Sequence, residues 1–123
     1  MEERNHTLYP SYKIRMDAEA VTARHSLAAV ITDISVNSIN ILSKKAISPR
    51  SPIEVTFKLD GDVLLRGNVW WVLDSLSENG EHFYQTGIKT KTIIHSNIRA
   101  IGMAEKSRLV QEILYQMIEK DRN

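Results

Sequence analysis

Ile53-Glu54-Val55-Thr56-Phe57-Lys58-Leu59-Asp60-Gly61 is the stretch that decides the fold. Apolar and polar side chains alternate without a break from Ile53 to Leu59, the pattern of a strand with one face packed and the other wet. Ile53, Val55, Phe57 and Leu59 are therefore expected in the core. Asp60-Gly61 follows at once, and an Asp-Gly pair between two strand patterns signals a hairpin, because both central residues of a type I′ turn take positive φ. The stretch 63–73 should then return antiparallel beside the first. Simple alternation puts Leu65, Gly67, Val69 and Trp71 on one face and Arg66, Asn68 and Trp70 on the other, so Trp71 is expected in the core and Trp70 outside. Asn79-Gly80 marks a second turn, leading into Phe83.

Outward from this hairpin the same grammar repeats. Short apolar-rich segments at 12–18, 26–34, 39–43, 53–59, 63–73 and 83–90 are separated by turn residues, and no period of 20–50 residues recurs. Six strands are enough to close a small barrel. The last third changes period: Leu109, Val110, Ile113, Leu114, Met117 and Ile118 recur at helical spacing, which predicts an amphipathic helix over 103–120. Gly102 separates it from a short turn near Ser96, whose hydroxyl is a candidate N-cap. The apolar stripe either covers an open end of the barrel or forms a homodimer or partner contact through the C-terminal helix.

Composition narrows the function. The chain of 123 residues is 42% hydrophobic and 25% charged, with 16 basic against 15 acidic side chains and a formal charge of +1. That is the make-up of one globular domain, far from the basic excess that binding DNA or RNA through many phosphates favours. A small anionic ligand needs only a few local cations. No cysteine is present, which excludes disulfides, thiolate metal sites and cysteine nucleophiles. The polar N-terminus lacks the apolar core of a signal peptide, and nowhere do about 18 apolar residues run together, so neither membrane insertion nor export is expected. The expected location is cytoplasmic.

Catalytic signatures are missing. His6, His25, His82 and His95 show no i, i+4 pair of the kind that holds zinc on a helix. No serine sits in a Gly-x-Ser-x-Gly elbow, and the five glycines are too scattered for a phosphate loop. One polar cluster stands out, Asp33-Ile34-Ser35-Val36-Asn37-Ser38, between two strand patterns. Short Asp, Ser and Asn side chains bond to nearby backbone, so the cluster reads first as a turn capping two strands.

This cluster resembles the second motif, Asp/Asn-x-Ser-x-x-Gly, of the PilZ family of bacterial cyclic di-GMP receptors, with Ser38 in place of the final glycine. Arg4-Asn5-His6-Thr7-Leu8-Tyr9-Pro10 is similar to the family's first motif, Arg-x-x-x-Arg: Arg4 is retained and Leu8 stands where the second arginine would be. The downstream order also agrees: 53–59, then Leu65-Arg66-Gly67-Asn68-Val69, then Tyr84-Gln85-Thr86-Gly87-Ile88, then the helix.

The resemblance implies a mainly β fold, a six-stranded antiparallel PilZ-like β-barrel with a C-terminal α-helix. In this reading residues 1–11 are a flexible arm, and 12–123 form one domain. It implies cyclic di-GMP as ligand, a protein partner, no catalysis, and a site at Arg4, Asp33, Ser35, Asn37 and Ser38. Guanidinium groups pair with phosphate or with the O6/N7 edge of guanine and stack on its face, while a carboxylate accepts from guanine N–H groups. Leu8 cannot replace a guanidinium, which forgoes about 1.5–3 kcal/mol, and Arg15 or Arg24 are the candidates to supply the missing charge. Ser38 bears on whether the turn needs a positive φ. Two functions stay open: a cyclic di-GMP receptor acting on a partner surface, or an adaptor without nucleotide that works through Trp70, Trp71 and the helix.

Overall fold

The computed structural model describes the backbone of residues 10–122 and the side chains of residues 10–120. Among the described residues seven antiparallel strands precede one helix: β1 (Tyr12–Val21), β2 (Ser26–Ile34), β3 (Ser38–Ser43), β4 (Pro52–Lys58), β5 (Asp62–Leu76), β6 (His82–His95), β7 (Ile98–Ala100) and α1 (Met103–Arg122). The sheet order is β3-β2-β1-β4-β5-β6-β7, and β3 also pairs with β6, which closes six strands into a ring. The fold is the mainly β barrel with a C-terminal helix that the sequence predicts, with one short strand added.

The deciding stretch behaves as its pattern requires. Ile53, Val55, Phe57 and Leu59 are all buried. Asp60 and Gly61 both take positive φ, 49° and 115°. The loop holds three residues rather than two, since Lys58 pairs with Asp62 and Leu59 N–H donates to the Gly61 carbonyl at 2.8 Å. Inside the ring, Ile31, Ile39, Ile41, Val63, Leu65 and Ile93 from four strands are almost inaccessible to water. Burying aliphatic side chains of this size contributes about 1.5–3 kcal/mol each, which is the term that drives closure.

At Gly67 the barrel requires glycine. A Cβ there would lie 2.8 Å from the Lys89 carbonyl carbon and 3.0 Å from Thr90 Cα on β6. The β5–β6 register is irregular here: Lys91 of β6 is an extra residue opposite Arg66 and Gly67, and the register shifts again between Val69 and Trp71.

The second irregularity overturns one expectation. Val69 pairs with Ile88 and Trp71 with Gly87, leaving Trp70 as the extra residue of a bulge. The inward-outward phase slips by one, so Trp71 is half-buried on the outside of the barrel and Val72, not Trp71, packs against the core.

The expected turn at Ser96 also takes another form. Ser96 and Asn97 have φ of 51° and 72° and link β6 to β7 as a hairpin. The Ser96 hydroxyl donates to the Asp60 carbonyl at 3.3 Å instead of capping a helix. The helix is capped at Gly102, whose N–H donates to Glu105 Oε1 at 3.3 Å. From α1, Leu109, Val110, Ile113 and Leu114 are buried against the barrel, while Ile118 stays exposed.

Candidate functional site

Four strands bring four unlike groups into one row on the outer face. Asp33 on β2 pairs with Asn40 on β3, Asn40 with Gly87 on β6, and Gly87 with Trp71 on β5. Asn40 lies between Ile39 and Ile41, both in the core, so alternation points it outward. Gly87 likewise lies between buried Thr86 and Ile88. A Cβ at Gly87 would fall 2.7 Å from Trp71 Cζ2: the indole lies flat on bare backbone. Next to it, Trp70 is 60% exposed and Lys89 Nζ sits 4.0 Å from its ring centroid, a cation–π contact.

The carboxylate of Asp33 is oriented from two sides. Thr32 Oγ1 donates to Oδ2 at 3.1 Å and Asn40 Nδ2 to the same oxygen at 3.2 Å. Asp33 is half-buried, and its β1 partner is Lys13.

Ser35, Asn37 and Ser38 form the β2–β3 turn beside this row. Ser35 N–H donates to the Ser38 carbonyl at 2.8 Å, and Ser35 Oγ lies 2.8 Å from Ser38 Oγ and 3.1 Å from Asn37 Oδ1. Ser35 is buried, and its hydroxyl closes the turn. Ser38 begins β3 and is not among the residues of positive φ, so its side chain meets no left-handed strain.

The turn is tied onward to the helix. The Asn37 carbonyl accepts the Thr90 N–H at 2.9 Å, and the Thr90 carbonyl accepts from Lys106 Nζ of α1 at 3.1 Å. Lys106 is buried, and loss of hydration pushes its pKa below the ordinary lysine value.

Arg4 and Leu8 lie outside the described residues, as does most of the expected arm. Its point of departure is in view: Tyr12 pairs with Ile34 and Lys13 with Asp33, so the chain enters β1 beside the row. Arg24 lies in the β1–β2 turn, remote in the fold from Asp33, whereas Arg15 lies on β1 two residues beyond Lys13.

Asn40 and Lys89 join the site through register alone, whereas Gly87 lies in the stretch 84–88 singled out from the sequence. The adjacent pair Trp70-Trp71 also carried a sequence signal, and the bulge masked half of it. The histidines do other work: His95 is buried with Nε2 2.8 Å from the Leu59 carbonyl, and His82 Nδ1 lies 3.1 Å from Asp74 Oδ1. Among the described residues no three His, Asp or Glu side chains gather as a metal site.

No family model matches the chain, and no curated protein does. Solved structures do. The Bacillus subtilis inhibitor of motility (MotI/DgrA) superposes with a TM-score of 0.62 at 10% identity, over 98% of this chain and 58% of that one. MrkH of K. pneumonia in its apo state superposes with a TM-score of 0.62 at 13% identity, over 99% of this chain and 54% of that one. The chain thus spans a little over half the length of each. Both are PilZ-domain proteins, and the likeness runs over nearly the whole of this chain: its fold is PilZ-like.

Proposed function

We propose that this protein is a PilZ-type signalling module, not an enzyme, that binds cyclic di-GMP on the outer face and thereby alters a surface offered to a protein partner in the cytoplasm. The observation that carries this reading is the row Asp33, Asn40, Gly87, Trp71, which sets an acceptor, an amide and a flat indole side by side. Asp33 accepts from the guanine ring N–H and amino group, with Asn40 beside it as a second polar partner. A base stacked on an indole gains about 1–3 kcal/mol, and the bare backbone at Gly87 lets the indole lie flat enough to receive it. Lys89 supplies a cation for a phosphate. Ser35, Asn37 and Ser38 hold the turn that orients Asp33. Arg4 lies eight positions before Tyr12, a separation of at most about 26 Å in a fully extended chain, and is proposed as a further cation for the ligand.

The test is isothermal titration of the full chain with cyclic di-GMP at physiological salt, repeated with Arg4→Ala, Asp33→Ala and Trp71→Ala. Micromolar or tighter binding, weakened about tenfold or more by each substitution, supports the reading. No heat up to about millimolar ligand rejects it and leaves the nucleotide-free adaptor, for which β5 offers the exposed apolar side chains Trp70, Leu73 and Leu76.

A further inference from the structure

A cavity of about 1060 Å³ lies between β1 and α1. One wall is made by every residue from 11 to 16. Side chains alternate across a strand, so a cavity that touches six successive residues runs along the strand's edge and not over one face. That edge is open. β4 pairs with β1 only at residues 19–21, and among the described residues no strand pairs with residues 12–18 on the side away from β2. The opposite wall is apolar and comes from α1: Leu114, Met117, and Tyr115 and Ile118, which are 65% and 59% exposed. Among the described residues Lys13, Arg15 and Lys120 line the groove, and no carboxylate does.

We propose that this groove receives an extended, acidic and apolar segment of a partner protein, which adds to β1 as a further strand and sets its carboxylates against Lys13, Arg15 and Lys120. Unpaired N–H and C=O groups on a strand edge are a template for such addition, and pockets for alternate side chains supply the selection. Residues 12–18 offer about 20 Å of edge, room for six or seven residues of a partner. The α1 wall takes the side chains of one face and the cations choose acid over base. A second copy of this chain fits poorly, because a two-fold contact brings the same cations face to face. A docked helix would leave the β1 edge unpaired. The proposal goes beyond nucleotide binding and does not depend on it.

The test uses the full chain without nucleotide. Fluorescein-labelled peptides of about ten residues, one alternating Val and Glu and one alternating Val and Lys, are titrated by anisotropy, with amide hydrogen exchange read in parallel. The expected result is binding of the Val-Glu peptide at least tenfold tighter than Val-Lys, with exchange slowed at residues 12–18. Lys13→Glu combined with Lys120→Glu should weaken it about tenfold, while Arg24→Glu in the β1–β2 turn leaves it unchanged. Circular dichroism of each variant confirms that the barrel is intact. Equal binding of the Val-Lys peptide, protection confined to α1, or no binding at about 1 mM overturns the proposal. So does a tenfold gain in affinity on deleting residues 1–9, which would make the chain's own terminus the occupant. A failed titration with cyclic di-GMP would leave all of these readouts untouched.

Discussion

Gly67→Ala tests the packing that holds the two longest strands together. Carbon atoms in contact sit about 3.5–4.0 Å apart. The added methyl would lie 2.8 Å from the Lys89 carbonyl carbon and 3.0 Å from Thr90 Cα, with the carbonyl oxygen closer still. None of these is the far end of a flexible side chain, so relief requires β5 and β6 to part by nearly an ångström. Overpacking of this kind costs about 1–3 kcal/mol, and weakening a neighbouring ladder hydrogen bond adds about 1 kcal/mol. Restricting the unfolded chain returns about 0.4–1 kcal/mol. The net expectation is a loss of about 2–3 kcal/mol, a fall of roughly 8–15 °C in Tm for a domain of this size. Thermal and urea unfolding followed by circular dichroism measure it. Gly80→Ala is the control: φ there is +85° and nothing lies within 4 Å of the added Cβ, so only the left-handed conformation is charged, at about 1–2 kcal/mol. A Gly67→Ala protein as stable as the wild type, or no less stable than Gly80→Ala, would refute the reasoning.

Ile113→Ala should cost about 2–5 kcal/mol in urea unfolding, because the side chain is fully enclosed between α1 and the barrel; a loss under about 1 kcal/mol would show that the helix is not part of the core. Lys106→Met should be at least as stable as the wild type at pH 7. The folded lysine holds its proton less tightly than the unfolded one, so the wild type carries the penalty of the buried charge at neutral pH and sheds it as pH rises toward about 10.4. Urea midpoints across that range should show the gap between the two proteins closing; a constant gap contradicts the sign. Gly87→Ala should lift Trp71 off its backbone seat, shift its fluorescence emission and weaken cyclic di-GMP binding about tenfold, and unchanged affinity would remove Trp71 from the site.

What could be read from sequence was local. The Ile53 to Gly61 hairpin carries its period and its turn in nine consecutive residues, and the stripe of α1 repeats over three turns. Trp71 was misplaced because a bulge at Trp70 is one extra residue with no signature of its own, yet it reverses every later side chain. β7 was missed because three residues are too few to show alternation. Most of the candidate row was unreadable for a different reason: Asp33 and Asn40 face each other across one hairpin, but Gly87 and Trp71 join them only through the register of strands distant in the chain. Of that row, Asp33 sits in the turn motif and Gly87 in the stretch 84–88, and neither motif says that the two meet.

The ring closes where β3 meets β6, joining residues 38–43 to residues 84–89. These partners are 41 to 51 positions apart in sequence, so the pairing must wait for a large chain loop to be gathered, and topologies of this kind fold in milliseconds to seconds. Until the last seam forms, both strands present bare edges to other chains, which makes the unclosed barrel the species most prone to aggregate. Asn40 and Gly87 sit on that seam. The candidate face is therefore complete only once this seam has formed, and a nucleotide that bridged it would act as a stitch, slowing the reopening of the barrel as well as reporting that it has shut.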